Sequence, residues 1–506
     1  MTQIVPTAPY HQRLEGYDDF VRQIMQEWQV PGVAIAIVTD TDILFSQSFG
    51  KRDLERDLPV TEQTLFAIAS CSKVFTTMAL AMLVDEGKLA WDKPVRHYLP
   101  SFQLADPVAS ERLTPRDLLT HRSGLPDNTL AWYNALISRK ELVERLQYFE
   151  PTHDLRSAWQ YNNMMYATAG YLLEVISGQS WENFVHQRIL EPLGMVSTTC
   201  FPTEALQVSD VAAPHRLADG QLQRIRNYDH TRETAMGPAG SIHSNLHDMS
   251  KWLQCLLRQG QYGEQDQRLV SQSKFQELIT PQMVMPAMDF PTQGYTELSH
   301  SSYALGWWTL SYRGHSLAQH SGGIDGFSSL TTFLPDDKLG IVVLTNREAD
   351  LVPVHGIFTR TACDRLLGLS EVAWSERTRQ EYQRLREQVE QHVRKQQERV
   401  PDAPLSHALQ DYAGQFTHPG YGTFTFELDG EELKGQLNES EYTVTHLHYD
   451  SFLVKSVRFD LQIRATFYTD PQGLLASFAF PIESEEKPII FKRASTASES
   501  ASPPEV

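Results

Sequence analysis

Ser70-Cys71-Ser72-Lys73, Tyr161-Asn162-Asn163 and His320-Ser321-Gly322-Gly323 hold the residue types from which acyl-transfer chemistry is built. The first supplies a hydroxyl nucleophile and an amine three residues on. The second adds a phenol and an amide, and the third a histidine beside two glycines. An amine within reach of a serine hydroxyl can take its proton. A phenol beside an ammonium is expected to ionise more easily, so Lys73 and Tyr161 form a candidate proton-transfer pair for Ser70. Asn163 is suited to orient Lys73 and to hydrogen-bond a substrate amide. Gly322 and Gly323 let a substrate backbone approach a strand closely, leaving the N–H of Gly323 for an oxyanion and His320 to donate to the substrate or transition state. These parts make an acyl-transferring serine hydrolase without a Ser-His-Asp triad.

The Ser-x-x-Lys spacing alone is weak, since it recurs at Ser48–Lys51, Ser271–Lys274 and Ser484–Lys487. Context separates them. Ser48 ends a strand at a glycine, Ser484 stands in an acidic loop, and Ser271 opens a helical segment and is the serious rival. Ser70 opens a helix whose Val74, Phe75, Met78 and Met82 recur at helical spacing, with Gly87 as its cap. A serine at a helix start lies in the positive end of the helix field, and residues i and i+3 share a face, so Lys73 can reach it. Tyr-x-Asn occurs once. His-x-Gly recurs at His418-Pro419-Gly420, in a later β-rich stretch.

These residues must be positioned by elements far apart in the chain. Residues 10–28 read as an amphipathic helix, and VAIAIV and ILFSQSFG as two strands. Positions 90–300 are mostly helical, and YALGWWTLSY, FSSLTTFL and GIVVLTN are strands within 303–346. Two strands from one end and three from the other predict a single sheet flanked by helices. A charged helix over 375–399 and a Pro-rich linker at 400–404 follow. Period-two alternation from Thr423 to about 493 then predicts a small β-barrel or sandwich, and the polar residues after it a disordered tail.

With 506 residues, 41% hydrophobic and 21% charged, the chain has the composition of a multidomain globular protein. A formal charge of −19 argues against nucleic acid and anionic membrane surfaces as partners. No apolar run is long enough to span a bilayer. The first twenty residues lack the basic start and apolar core of a secretory leader. Four cysteines (Cys71, Cys200, Cys255, Cys363) without CxxC or metal spacing fit a reduced, cytoplasmic protein with no metal. His446 and His448 alternate on one strand face without a third ligand.

With these motifs the chain resembles the serine β-lactamase and penicillin-binding-protein-like superfamily, in its class C-like peptidase and esterase branch. LTPRDLLTHRSGL at 113–125, ILEPLGM at 189–195, GPAGSIHSNLHDMSKWL at 237–253 and VVLTN at 342–346 look like that family's framework. The resemblance implies an α/β fold with an antiparallel sheet flanked by helices and an all-helical subdomain. It makes Ser70 the acylated nucleophile, Lys73 its base and Tyr161 the proton shuttle. Asn163 would orient Lys73 and the substrate, and the N–H groups of Ser70 and Gly323 would form the oxyanion hole. His320 stands where many β-lactam-handling members carry lysine, which implies an esterase or D-amino-acid-specific peptidase over strong penicillin recognition. DYAGQF and HPGYG at 411–422 resemble a lipocalin-like β domain fused to such enzymes.

The expected layout is a hydrolase domain at 1–374, a charged helix and linker at 375–405, a lipocalin-like β-barrel at 406–494 and a tail at 495–506. The expected activity is a peptidase or amidase on short peptides, those with D-residues included; the alternatives are a carboxylesterase or transesterase, and an acyl-binding sensor that deacylates poorly. No cofactor is expected, and homo-oligomerisation is compatible with the resemblance. Met283, Met285, Met288 and Phe290 are candidates for an apolar acyl pocket or for packing under a loop.

Overall fold

The computed structural model describes residues 10–218, 220–226, 235–265, 267–285, 294–457, 461–482 and 487–494. The tail at 495–506, Ser484, Met288 and Phe290 lie outside the described residues. The chain divides into two compact units, residues 1–127 with 137–385, and residues 128–136 with 386–506.

The first unit is built on a nine-stranded antiparallel sheet. Its strands are β1 (Gly32–Val38), β2 (Ile43–Asp53), β3 (Leu58–Pro59), β4 (Met283–Val284), β5 (Leu298–Tyr303), β6 (Trp308–Tyr312), β7 (His315–Ile324), β8 (Phe327–Leu334) and β9 (Leu339–Thr345). Their order is β4-β5-β6-β7-β8-β9-β1-β2-β3, so β1 pairs β9 and the two ends of the domain close one sheet. β1 and β9 are buried along their whole length, as expected for central strands covered on both faces. Val33, Ile35 and Ile37 face α1 (Tyr17–Glu27) and α5 (His355–Leu367) in one core, with Val343, Ile357 and Phe358. On the opposite face, α4 (Leu246–Leu257) packs against β1 and β9.

Two glycines redraw the expected elements. Gly16, at φ 70°, stops a first turn at Tyr10–Arg13 and starts α1 afresh, where one continuous helix was expected. Gly306, at φ 81°, turns 303–312 into the hairpin β5–β6 where one strand was expected. A Cβ there would lie 2.6 Å from Thr77 Oγ1, so close packing also asks for glycine.

The second unit is a closed eight-stranded barrel running from Gly414–His418 to Ile489–Arg493, with every strand pairing its sequence neighbour and the last pairing the first. Phe416, Phe424, Phe426, Phe467, Phe478 and Phe491 alternate inward and fill it with edge-to-face and stacked rings. The same unit takes in the separate segment Asn128–Leu136. Tyr421 Oη donates to Asn128 Oδ1 (2.5 Å), Asn134 Nδ2 to Ser440 Oγ (3.2 Å) and Asn438 Nδ2 to the Leu130 carbonyl (3.0 Å). The charged helix, α6, spans Trp374–Gln396. No helix among the described residues is long and apolar enough to cross a membrane.

Candidate active site

Ser70 lies in a single 3₁₀ turn, Ala69–Ser72, that feeds directly into α2 (Lys73–Asp85). Ala69 is left-handed at φ 47°, a conformation that costs an alanine about 1–2 kcal/mol. The turn is held by Ile242 N donating to Ser72 Oγ (3.1 Å) and by Ile68 N bonding the Ile242 carbonyl (3.0 Å). The sheet then closes on it. A Cβ on Gly322 would lie 2.1 Å from the Ile68 carbonyl and 3.0 Å from Ser70 N, so only glycine lets β7 pass this close to the serine. Beyond Gln319, β7 pairs with β8 but no longer with β6, which leaves residues 320–324 with an unpaired edge among the described residues.

Lys73 is fully buried, and its ammonium nitrogen has three oxygens around it: Ser70 Oγ at 2.9 Å, Asn163 Oδ1 at 2.7 Å and the Ala239 carbonyl at 2.8 Å. Burial pushes its pKa down to about 7, against the opposing pull of Asp127. Tyr161 Oη donates to Ser70 Oγ at 2.9 Å. The expectation that lysine would ease ionisation of this phenol is corrected here. Burial raises the Tyr161 pKa well above its ordinary value, the bond with Ser70 lowers it only in part, and the carboxylate of Asp127 adds to the rise. Tyr161 is therefore a protonated donor, and Lys73 is the group that titrates near neutrality.

Asn163 opens α3 (Asn163–Ser177), whose first turn is capped by Asn162 Oδ1 accepting from Met165 N (3.0 Å). Asp127, which the motifs did not single out, accepts from Asn163 N (2.5 Å) and Asn163 Nδ2 (3.1 Å). That fixes the amide with its oxygen toward Lys73. His121, inside the framework stretch 113–125, is buried with its ring 4.3 Å from that of Tyr161, and its Nδ1 accepts from Asn162 N (3.1 Å). Burial and the nearby Lys73 hold its pKa well below the ordinary value. Asp127 carries no sequence signal beyond its place in a loop and His121 only its place in the 113–125 stretch, because their partners lie 36 and 41 residues away.

His320 differs from expectation. It is 1% exposed, its Nδ1 bonds the Ser321 carbonyl (2.6 Å) and its Nε2 bonds Tyr303 Oη (2.9 Å). Both ring nitrogens are thus occupied inside the protein, and burial with the nearby Lys73 holds the pKa at about 3. A neutral, internally bonded imidazole braces β7 and has no free nitrogen to offer a substrate. Cys71 is buried too, its thiol toward the His320 carbonyl (3.0 Å), and burial raises its pKa.

The rival serine stands apart. Ser271 Oγ donates to Asp85 (2.7 Å) and Lys274 pairs with Glu277 (2.7 Å). Met285 is buried and Met283 partly so, on the edge strand β4. Among the described residues no group of three or more His, Cys, Asp or Glu side chains is placed to hold a metal. His446 Nε2 bonds the Tyr449 carbonyl (2.9 Å) and His448 Nδ1 accepts from Val400 N (3.4 Å).

Comparison with known proteins follows the same division. The family model described as Beta-lactamase matches residues 17–362, and a model described as a domain of unknown function matches 398–493. Unguisins hydrolase ungD' of Aspergillus campestris is 25% identical over 485 residues, covering 91% of this chain and 88% of its own. The octameric penicillin-binding protein homologue from Pyrococcus abyssi shares the fold at a TM-score of 0.61 and 22% identity, over 94% of this chain and 99% of its own. The structure of SurE with D-Leu shares it at 0.54 and 17%, over 96% and 100%. A match over most of the chain, on a fold that brings Ser70, Lys73 and Tyr161 within hydrogen-bond distance, has one reading: the chain is a serine hydrolase that belongs to the beta-lactamase family.

Proposed function

We propose that the chain hydrolyses amide bonds in short peptides through an acyl-enzyme on Ser70. The observation that carries this reading is the set of three oxygens around Lys73 Nζ. A neutral amine has two N–H bonds and one lone pair. Donating to Asn163 Oδ1 and the Ala239 carbonyl uses both hydrogens, and the lone pair then faces the Ser70 hydroxyl. Burial supplies the neutral form by holding the pKa at about 7. Ser70 Oγ attacks the carbonyl carbon as its proton passes to Lys73. The oxyanion forms against the N–H groups of Ser70 and Gly323. Tyr161 gives its proton to the departing amine and regains one from the Lys73 ammonium. Water then attacks the ester carbonyl as Lys73 takes its proton, Ser70 leaves with the proton of Tyr161, and the Lys73 ammonium returns a proton to Tyr161.

A peptide substrate is supported by the unpaired edge of β7 at 320–324, which can hydrogen-bond an extended backbone. It is also supported by the likeness to a relative named as an unguisins hydrolase and to SurE with D-Leu, a D-amino acid. The fold likeness to an octameric homologue supports self-association, which native mass spectrometry tests.

The test is a panel of L- and D-aminoacyl nitroanilides and nitrophenyl esters, run on wild type and Ser70→Ala. Ser70→Ala is expected to lower kcat by about 10⁴-fold or more, as loss of a nucleophile does elsewhere. A loss below about tenfold refutes the assignment of Ser70. Serine-dependent ester cleavage with silent anilides replaces the peptidase reading with the esterase one.

A further inference from the structure

A cavity lies in the hydrolase domain behind the strand that edges the active site. Side chains alternate along β7, so Leu317, Gln319 and Ser321 line a cavity of about 250 Å³ while Gly322 abuts Ser70. The opposite wall is α5, with α6 and the aromatic residues Tyr295, Trp308 and Tyr312 completing the lining. None of these residues belongs to the Ser70 cluster.

The polar groups of this cavity are unusual for a packed core. Trp308 Nε1, His355 Nδ1, Thr359 Oγ1 and Thr378 Oγ1 are buried and have no hydrogen-bond partner among the described residues. Native proteins leave few such atoms, because each has given up water for nothing. Four on one cavity point to something that binds there. Arg360 also lines it, with its guanidinium 5.2 Å from the ring centroids of both Tyr295 and Trp374 and no ion pair with a described residue. The single carboxylate of the lining, Glu381, already accepts from Tyr295 Oη. Four groups able to donate and one cation without an ion pair among the described residues, set among leucines and aromatic rings, form a pocket suited to an anionic acceptor on an apolar body.

We propose that this cavity is a second binding site, for a small monocarboxylate with an apolar ring or chain. Its carboxylate is held by Arg360 with His355 and Thr359, and its apolar part lies against Leu310, Leu317 and Val352. His355 acts there as a neutral donor, since burial and the neighbouring Arg360 push its pKa down to about 3.

The experiment is a ¹⁹F NMR titration of the full chain with 4-fluorobenzoate, and with 4-fluorobenzyl alcohol as the same ring without the charge. Saturable broadening is expected for the benzoate, with the alcohol binding about tenfold more weakly, because charge-assisted hydrogen bonds are the stronger kind. Arg360→Met and the near-isosteric Thr359→Val are each expected to weaken the benzoate about five- to tenfold. Should Arg360→Met fail to fold in a thermal melt, Thr359→Val carries the test. Absence of saturable binding, alcohol binding as tight as benzoate, or a Thr359→Val variant indistinguishable from wild type overturns the proposal. The readout does not involve Ser70, so its failure leaves the hydrolytic reading untouched.

Discussion

Replacing Asp127 by asparagine separates a positioning role from a merely structural one. The carboxylate accepts two hydrogen bonds from Asn163, whose oxygen in turn bonds Lys73. Asparagine has almost the same shape and one fewer acceptor, so one charge-assisted bond is lost, a change of about 1.5–3 kcal/mol. If that energy positions Lys73 for proton transfer, kcat/KM falls about 10- to 100-fold. The charge has a second effect. Asp127 favours the ammonium form of Lys73, whose pKa is about 7. The two charges are separated by the width of an amide and hydrogen bonds of 2.7 and 3.1 Å. At a separation of about 8 Å and an effective dielectric of about 20, they interact by about 2 kcal/mol, an upper bound close to 1.5 pH units. Removing the carboxylate therefore lowers the Lys73 pKa. The assay is the pH dependence of kcat/KM on a nitrophenyl ester between pH 4.5 and 9. Wild type is expected to gain activity through about pH 7 as Lys73 loses its proton. The variant is expected to have a lower plateau and a midpoint displaced toward acid by about one unit. An unmoved or alkaline-shifted midpoint refutes the electrostatic part, and an unchanged plateau refutes the positioning part.

Two further outcomes follow from packing and burial. Gly322→Ala puts a methyl 2.1 Å from the Ile68 carbonyl and must push β7 from Ser70. It should cost about a hundredfold in kcat, as small misplacements in active sites do, whereas Gly323→Ala meets no atom closer than 3.9 Å and should fold normally; equal melting temperatures for the two refute the packing argument. His243, His320 and His355 are buried with pKa values of about 4, 3 and 3. Their folded values lie below the unfolded value near 6.5, so the unfolded chain binds more protons between the two and stability falls as pH drops through that window. Each should cost up to about 2 kcal/mol between pH 6.5 and 5, visible as a falling melting temperature and reduced in His355→Phe.

The residues that sequence brings out are those whose partners are local. Ser70 and Lys73 are one helical turn apart, and the Phe424–Phe426 alternation announces a barrel strand without tertiary information. The residues it hides are those defined by distant neighbours. Asp127 follows a Pro in a loop and gains meaning only when α3 begins against it. His320 was legible as a residue type but not in its state. Reading 303–312 as one strand conceals that Gly306 folds Tyr303 back onto the imidazole, and with it the reason its Nε2 is occupied. The raised pKa of Tyr161 is equally a property of the surrounding protein, since a lysine nearby on paper says nothing about how much water is excluded.

The barrel unit is made of two stretches of chain, and one of them is nine residues cut from the middle of the hydrolase sequence. A stop codon after Leu385 is therefore expected to leave the hydrolase stretch with an unsupported internal segment. It strands Asn128–Leu136 without Tyr421, Asn438 and Ser440, and the stranded segment begins one peptide bond after Asp127. The two modules are interlaced in sequence, so gain or loss of the barrel in a lineage is expected to come with a change in that short internal stretch. The length and composition of residues 128–136 should consequently mark, in any related chain, whether a barrel is present downstream.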